Sequence, residues 1–253
     1  MRKLRVLNGN TLKIIAAILM VIDHVGSFFC PYNLVIRSIG RLSFPIFAFM
    51  IAEGAKYTKN KWKYLLTIFG LGLICQVVYY FFDNHSLHMN ILITFSISLV
   101  MIYILQFSKK IFFNFSEYKA LRYIVSPLIF IGSIVCLWIL CQYVSIEYRF
   151  FGIISPLLAN LVDFKGINVN DKLKKLDNYY LRVFLFGIGL VFVSFEMLKI
   201  LGLYTQFYCL LALIILVFYN ETRGKRKMKY FFYLFYPVHL VLIYSVFILI
   251  KLI

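Results

Sequence analysis

The sequence predicts an all-α fold: a polytopic integral membrane helical bundle of about nine transmembrane helices, with its N-terminus in the cytoplasm. The chain is 62% hydrophobic and its mean hydropathy is +0.87, far above that of a typical soluble domain. Apolar runs of roughly 20 residues recur along it, and each is long enough to span a ~30 Å hydrocarbon core. The Lys and Arg residues lie mostly between these runs. Lipid is therefore the expected solvent of most of the surface.

Nine spans follow from the positions of the apolar runs. The sixth is the shortest and begins at Glu147-Tyr148-Arg149, so a re-entrant segment stays open as an alternative there. The joining loops are short, and no repeat, linker or soluble domain is recognisable, so we predict a single transmembrane domain over residues 1–253. The approximate limits of the spans are 11–29, 36–55, 62–82, 88–106, 122–144, 148–164, 181–198, 203–220 and 230–251.

The basic residues predict how these spans are oriented. The stretches 2–13, 56–63, 109–122, 165–182 and 223–229 hold 22 of the 27 Lys and Arg residues, and they lie at alternate ends of the spans. Basic residues collect in cytoplasmic loops, so we expect the N-terminus inside and the C-terminus outside. The same rule accounts for the formal net charge of +17, and nucleic acid is not an expected partner.

The first span is expected to be retained, although Arg2-Lys3-Leu4-Arg5 before an apolar run is similar to a signal peptide. The run lacks a small-x-small cleavage site and contains the pair Asp23-His24. The five cysteines are odd in number and scattered, which predicts neither a disulfide framework nor a metal site.

The pair Asp23-His24 is the most informative feature inside the spans. Ionisable side chains at membrane depth are costly and usually face a polar cavity. Helical rise places Arg41 of the second span at nearly the depth of His24, in the outer half of the membrane. We therefore predict that Arg41 is the counter-ion of Asp23, which leaves His24 free for proton transfer near neutral pH. A structural clamp between the two helices is the alternative.

The last third of the chain adds a second set of candidates. His239 lies near the middle of the ninth span, two residues after Pro237. The preceding inner loop is basic, and Arg223 beside Gly224 is its best candidate for binding phosphate. Plain positive-inside charge explains most of the neighbouring lysines. In the second span, Glu53 is a candidate for lining the entrance of such a ligand.

These segments together resemble the TraX family of integral membrane proteins, named for a conjugative-pilin N-acetylase. The resemblance runs from about residue 11 to residue 245, and residues 100–200 contribute little to it. The family usually carries Gly after the Asn of the eighth-span motif, whereas this chain has Glu221. The matching stretches are Leu12–Ala16, Met20–His24, Gly40–Phe49, Glu53-Gly54, Thr58, Tyr219-Asn220, Arg223-Gly224, Phe232-Tyr233 and Tyr236–Leu240.

The resemblance implies an enzyme that transfers an acetyl group from acetyl-CoA, located in the bacterial cytoplasmic membrane. More distantly, the family is similar to acyltransferase-3-type membrane acyltransferases, which place a basic residue and a His about three turns apart on the first helix; Lys13 and His24 fit that spacing. The implied acceptor is the N-terminal amine of a small hydrophobic peptide or pilin-like protein. O-acetylation of a glycan or cell-envelope polymer is the alternative within the class.

The roles expected of single residues follow from this resemblance and from the depth of each residue in the membrane. His24 would be the general base, Asp23 and Arg41 would hold the geometry and charge of the site, and His239 would contact the thioester or the oxyanion. Direct transfer and an acetyl-enzyme both stay open, and so does the oligomeric state. The expected donor-binding residues are Lys13, Asn220, Arg223, Lys225 and Tyr236.

Two alternatives come from other classes of protein. A proton-coupled transporter would relay protons through Asp23, His24 and His239, and inverted repeats would favour it; none is recognisable in the sequence. A non-catalytic membrane protein that escorts a hydrophobic peptide would not need His24.

Overall fold

The computed structural model describes residues 5–82, 87–114, 118–225 and 228–252, and within these ranges the chain is helical with no strand. The predicted all-α class is confirmed. A π-helical turn over Leu121–Val125 precedes the sixth helix, and a 3₁₀ helix over Tyr204–Leu211 precedes the tenth. The helices are α1 (Gly9–Phe29), α2 (Leu34–Gly40), α3 (Ser43–Tyr57), α4 (Lys61–Phe82), α5 (Ile91–Asn114), α6 (Ser126–Tyr143), α7 (Arg149–Ala159), α8 (Asp171–Lys174), α9 (Tyr179–Leu201), α10 (Ala212–Val217) and α11 (Lys229–Leu252).

Seven helical segments in the described ranges are long and apolar enough to cross a membrane, and two shorter apolar segments, Arg149–Ala159 and Tyr204–Val217, accompany them. These nine segments correspond one for one to the nine predicted spans. The polytopic membrane architecture is thus confirmed, while the number of crossings and the side of the N-terminus stay predictions. The seven long segments are Gly9–Phe29, Leu34–Tyr57, Lys61–Phe81, Ile91–Asn114, Arg122–Tyr143, Tyr179–Leu201 and Tyr230–Lys251.

The sixth predicted span runs beside α5 in the same direction. At one end Ile146 pairs with Met89, just before α5 begins. At the other end Lys109 Nζ donates to the carbonyl oxygen of Leu161, 2.6 Å away. Residues 91 to 109 of α5 cover about 27 Å at 1.5 Å per residue. The segment from Ile146 to Leu161 therefore lies along α5, and whether it crosses the membrane completely stays a prediction.

The second predicted span is broken at Arg41-Leu42, between α2 and α3. Pro45 falls in the first turn of α3, where a missing N–H breaks no intrahelical bond. Ser43 Oγ donates to the carbonyl oxygen of Ala16 at 2.8 Å, so the start of α3 is fixed against α1. The break places Arg41 at a helix end beside α1, where its side chain reaches Asp23.

Contacts divide the chain into two compact units. One comprises Met1–Met50, Gly70–Leu87 and Leu190–Ile253, and the other comprises Ile51–Phe69 and His88–Gly189. Every catalytic and donor-binding residue expected from the sequence belongs to the first unit. The single domain stays a prediction.

Helices α1 and α11 of the first unit pack in the same direction. Lys13, near the start of α1, lies over the ring of Phe232, near the start of α11. Phe28, near the end of α1, packs edge-on against Tyr244. Parallel packing is what two odd-numbered spans require when each loop returns the chain across the membrane. Equivalent depths on α1 and α11 therefore face each other.

Candidate functional site

The first cluster forms where α1 and α2 approach each other closely. A Cβ atom added at Gly40 would lie 2.5 Å from Cα of Asp23, so this approach requires glycine. Arg37 Nη1 donates to Oδ1 and to the carbonyl oxygen of Asp23, both at 2.8 Å. Arg41 Nη2 lies 3.8 Å from the same Oδ1. The three side chains are largely buried, with exposed fractions of 18% for Asp23, 15% for Arg37 and 10% for Arg41.

Asp23 is thus held by two arginines, one of which the sequence reasoning missed. The structure brings Arg41 to ion-pair distance as expected, yet Arg37 is closer and bonds two oxygen atoms. From the sequence alone, Arg37 falls at the outer end of the predicted span 36–55 and is expected at the membrane surface. A signal was present, because residues four apart on a helix share a face and Arg37 precedes Arg41 by four.

The second cluster is a stack of two imidazole rings from α1 and α11. The ring centroids of His24 and His239 are 5.2 Å apart and their planes differ by 12°. Phe235 also stacks on His239, with centroids 5.0 Å apart, and Tyr236 meets His239 edge-on. Tyr236, expected from the sequence to bind the donor, therefore lies at the histidine pair rather than at the basic loop.

The hydrogen bonds of His239 fix how its ring nitrogens are used. Nδ1 lies 2.9 Å from the carbonyl oxygen of Phe235, and a carbonyl only accepts, so Nδ1 carries the proton. In the neutral ring Nε2 is then a lone-pair acceptor. It could donate to an oxyanion, the role expected from the sequence, only after it is protonated. The Nε2 atoms of both His239 and His24 are buried and make no hydrogen bond to any described residue.

Asp23 and His24 point to different neighbours, as their ~100° separation around α1 requires. Asp23 faces α2 and its arginines, whereas His24 faces α11. The carboxylate therefore anchors the helix pair and does not orient the adjacent imidazole.

A third cluster forms at the other end of α1. The chain before α1 runs along the turn that follows α10: Asn220 N donates to the carbonyl oxygen of Leu7 at 2.8 Å, and Gly9 N donates to that of Thr222 at 2.7 Å. Gly224, with φ +90°, lies so close to Asn8 that an added Cβ would sit 2.6 Å from its Oδ1. These contacts fix the turn 219–224 against the first turn of α1.

Two expected donor-binding cations meet at this turn. Arg223 acts electrostatically on the ammonium group of Lys13, and Lys13 Nζ lies 5.9 Å from the ring centroid of Phe232. Arg223 and Lys225 are exposed; Arg226 and Lys227 lie outside the described residues. Two like charges within electrostatic range of each other, one of them exposed, favour an anionic ligand.

The basic cluster and the histidine pair share one face of α1. Lys13 and His24 are eleven residues apart, which is three turns plus about 20° and a rise of about 16 Å. Both side chains face α11, Lys13 at Phe232 and His24 at His239, so a ligand that contacts both has to enter between α1 and α11.

An open apolar groove lies beside the histidine pair, between α1 and α11. Its volume is about 270 Å³ and its lining is entirely apolar. Phe235 connects the two features, because it lines the groove and stacks on His239. The lining residues are Ile14, Ala17, Ile18, Val21, Ile22, Phe231 and Phe235.

The model of the family described as TraX protein matches residues 8–247, nearly the whole chain. This chain belongs to the TraX family. A stretch of 102 residues, 40% of the chain, is 32% identical to the uncharacterized protein RP591 of Rickettsia prowazekii (strain Madrid E), and it spans 39% of that relative's length. No solved structure matches.

The structure explains where this TraX-family chain departs from the pattern noted above. Glu221 has φ +57°, a left-handed conformation that glycine adopts without strain. The Glu221 carboxylate lies 2.6 Å from Arg5 Nη2, so an ion pair to the segment before α1 offsets part of the strain. Asn220, expected to bind the donor, uses its Oδ1 to accept from the backbone N and the hydroxyl of Thr222, at 3.0 and 2.7 Å. Asn220 therefore shapes the turn.

The second unit of this TraX-family chain holds charged residues that the sequence reasoning misplaced or missed. Glu53, a candidate for the ligand entrance, instead pairs with Arg182 Nη1 at 2.5 Å, and Arg182 is fully buried. Lys56 Nζ lies 2.7 Å from a carboxylate oxygen of Asp177 and 3.8 Å from one of Asp163. The sequence alone shows Arg182 only as one basic residue of the stretch 165–182, because its partner Glu53 lies 129 positions earlier in the chain.

The outer-loop sequence His85-x-x-His88 has a spacing that can bind a metal if the segment is helical, but the sequence places no third ligand. His88 Nδ1 lies 2.7 Å from Ser145 Oγ, whereas Asp83 and His85 lie outside the described residues. No group of three His, Cys, Asp or Glu side chains in those ranges has metal-binding geometry.

Proposed function

We propose that this TraX-family protein is a membrane acetyltransferase of the bacterial cytoplasmic membrane, which moves an acetyl group from acetyl-CoA to an amine in the outer half of the bilayer. One observation carries the proposal: a cationic cluster and a stacked histidine pair lie on one face of α1, about 16 Å apart. Acetyl-CoA has its phosphates at one end and its reactive thioester carbonyl at the other. The cationic cluster suits the phosphates, and the histidine pair suits the carbonyl.

The donor would be held first by its phosphates. Lys13 and Arg223 lie beside the start of α1, and Lys225 adds an exposed charge. Arginine and lysine bind phosphate by charge-assisted hydrogen bonds of about 1.5–3 kcal/mol each. The pantetheine arm would then follow α1 towards His24 and leave the thioester at the histidine pair.

His24 would act as the general base. Its buried Nε2, with no partner in the described ranges, would take a proton from the attacking amine as the nitrogen bonds to the thioester carbonyl carbon. Collapse of the tetrahedral intermediate breaks the C–S bond, and the leaving thiolate of coenzyme A takes the proton back from the His24 imidazolium, which regenerates the base. The products are the N-acetylated acceptor and free coenzyme A.

His239 would assist from the facing helix. Because Phe235 holds its Nδ1 proton, the His239 Nε2 lone pair can accept a second hydrogen from the amine and orient it. The positive charges of Arg41 and Arg37 would favour the developing oxyanion, and Asp23 would keep both arginines in place.

The acceptor we favour is the N-terminal amine of a small hydrophobic peptide. The apolar groove between α1 and α11 includes Phe235, which stacks on His239. We expect this apolar surface to face lipid, so that a membrane-embedded chain approaches the site laterally. The TraX family is named for a conjugative-pilin N-acetylase. The resemblance of this chain to that family supports a peptide amine as the acceptor.

Binding of coenzyme A to the detergent-purified protein tests the donor site. Lys13→Ala and Arg223→Ala should each raise the Kd roughly 10-fold, whereas Lys172→Ala, which removes an exposed charge from another basic loop, should leave it unchanged. Dephospho-coenzyme A should bind more weakly and respond less to the substitutions. Equal effects of all three substitutions would refute a specific phosphate site.

A further inference from the structure

Aromatic rings fill the interface between α1 and α11 on the side of the histidine pair away from Lys13. Phe28 lies four residues, about one helical turn, after His24 on α1. Its ring meets Tyr244 of α11 edge-on, with centroids 4.7 Å apart, and it packs on Phe247 at 5.1 Å. Three aromatic rings therefore lie one to two turns beyond the two imidazoles.

Neighbouring rings extend these contacts on both sides. Phe29 also contacts Phe247, with centroids 5.8 Å apart. Tyr79 of α4 meets Tyr244 edge-on at 6.2 Å, so a third helical segment of the same unit takes part. Tyr244, in the middle, has an exposed fraction of only 4%. We call Phe28, Phe29, Tyr79, Tyr244 and Phe247 the aromatic layer.

Water competes with the acceptor for the same thioester. His24 would take a proton from water as the oxygen bonds to the thioester carbonyl carbon; the C–S bond would break, and the leaving thiolate would take that proton. The products would be acetic acid and free coenzyme A, with nothing transferred. An enzyme avoids such a side reaction by keeping water out of its site, and packed phenylalanine rings offer a water molecule no hydrogen-bonding partner.

We propose that the aromatic layer suppresses hydrolysis of the donor thioester by closing the histidine pair to water and to other small water-soluble nucleophiles. The layer thereby determines how acetyl-CoA is divided between transfer and hydrolysis. The inference rests on the proposed function and adds to it a set of residues that control the choice of nucleophile, whatever the acceptor is. Phe28 is the central member, because it contacts both Tyr244 and Phe247.

A purely structural role for these rings predicts a different result. Aromatic residues near helix ends also form interfacial belts, and their loss would then lower stability and change every rate alike. Closure predicts instead that the ratio of hydrolysis to transfer changes. Closure depends on apolar volume, so Phe28→Leu should keep the wild-type ratio. Phe28→Ser, which shortens the side chain and adds a polar atom, should raise it.

The test measures acetate and N-acetylated product from radiolabelled acetyl-CoA, with hexadecylamine as a membrane-soluble amine and propylamine as a water-soluble one. Phe28→Ser should raise hydrolysis and propylamine acetylation about 10-fold relative to hexadecylamine acetylation, the factor expected when water gains a hydrogen bond that packed rings deny it. Phe247→Ser opens the layer from α11 and should give the same change. Phe195→Ser, which breaks an edge-on pair with Phe207, is the matched control and should leave the ratio unchanged.

The outcomes separate this inference from the proposed function. Turnover that depends on His24 but has the same ratio of hydrolysis to transfer in wild type and in the folded Phe28→Ser or Phe247→Ser variant would overturn the inference alone. Wild-type protein that acetylates propylamine as fast as hexadecylamine would also overturn it, and this comparison needs no variant. Turnover that is absent, or that persists without His24, would overturn the proposed function and the inference with it.

Discussion

The two arginines that face Asp23 contribute unequally to the stability of the α1–α2 pair, and the difference follows from their distances. At an effective dielectric constant of 20, a unit charge pair gains about 6 kcal/mol at 2.8 Å and about 4 kcal/mol at 3.8 Å. Desolvation offsets much of both values. Arg37 also donates a charge-assisted hydrogen bond to the Asp23 carboxylate, whereas its bond to the Asp23 carbonyl oxygen survives in Asp23→Asn and does not enter the coupling. We therefore expect Asp23 to couple to Arg37 more strongly than to Arg41, by about 2 kcal/mol.

Double-mutant cycles measure this difference directly. Asp23→Asn, Arg37→Gln and Arg41→Gln, with the two double variants, are unfolded in mixed micelles, and the coupling energy is taken from the free energies of unfolding. The excess of about 2 kcal/mol corresponds to a factor of roughly 30 in the equilibrium constant. Arg5→Gln is the control, because Arg5 pairs with Glu221 at the far end of α1 and should not couple to Asp23.

Equal coupling of Asp23 to the two arginines, or stronger coupling to Arg41, would refute the reasoning. Either result would mean that Arg41, as the sequence alone suggests, is the principal counter-ion and that Arg37 has another role.

Two further stability predictions follow from the packing. Gly40→Ala should lower the free energy of unfolding by about 1–3 kcal/mol, because its Cβ would overlap the backbone of Asp23; Gly132→Ala on α6, where an added Cβ meets nothing within 4 Å, should be neutral or stabilising in the same assay. Glu53→Gln should cost about 3–5 kcal/mol, because it removes the carboxylate that is paired with the fully buried guanidinium of Arg182. A cost below 1 kcal/mol for Glu53→Gln in micelle unfolding would contradict a buried ion pair.

The sequence predicts those parts of the fold that depend on hydropathy and charge alone. The helical class and the nine apolar segments follow from runs long enough to match a bilayer, and the pairing of α1 with α2 follows from a short loop. The break at Arg41-Leu42 does not follow, because a span drawn from hydropathy carries no information on a two-residue interruption. Pro45 would kink a helix that ran through the whole predicted span. In the structure it lies in the first turn of α3, where it breaks no intrahelical hydrogen bond.

The depth of each site residue in the membrane can be predicted from the sequence. The direction in which its side chain points around the helix axis cannot. Helical rise alone gives the shared level of His24 and Arg41. The stack of His24 on His239 depends on which faces of α1 and α11 meet, and no local pattern specifies that.

The central claim is that His24 is the base of an acetyl-CoA-dependent reaction. The most direct measurement is hydrolysis or self-acetylation with radiolabelled acetyl-CoA by the purified protein, comparing wild type with His24→Ala and, as a control, His88→Ala. Loss of a general base lowers turnover by about 10²–10⁴-fold, so His24→Ala should show that loss with membrane insertion and thermal midpoint intact, while His88→Ala keeps wild-type turnover. Full turnover in a folded His24→Ala variant would contradict the account.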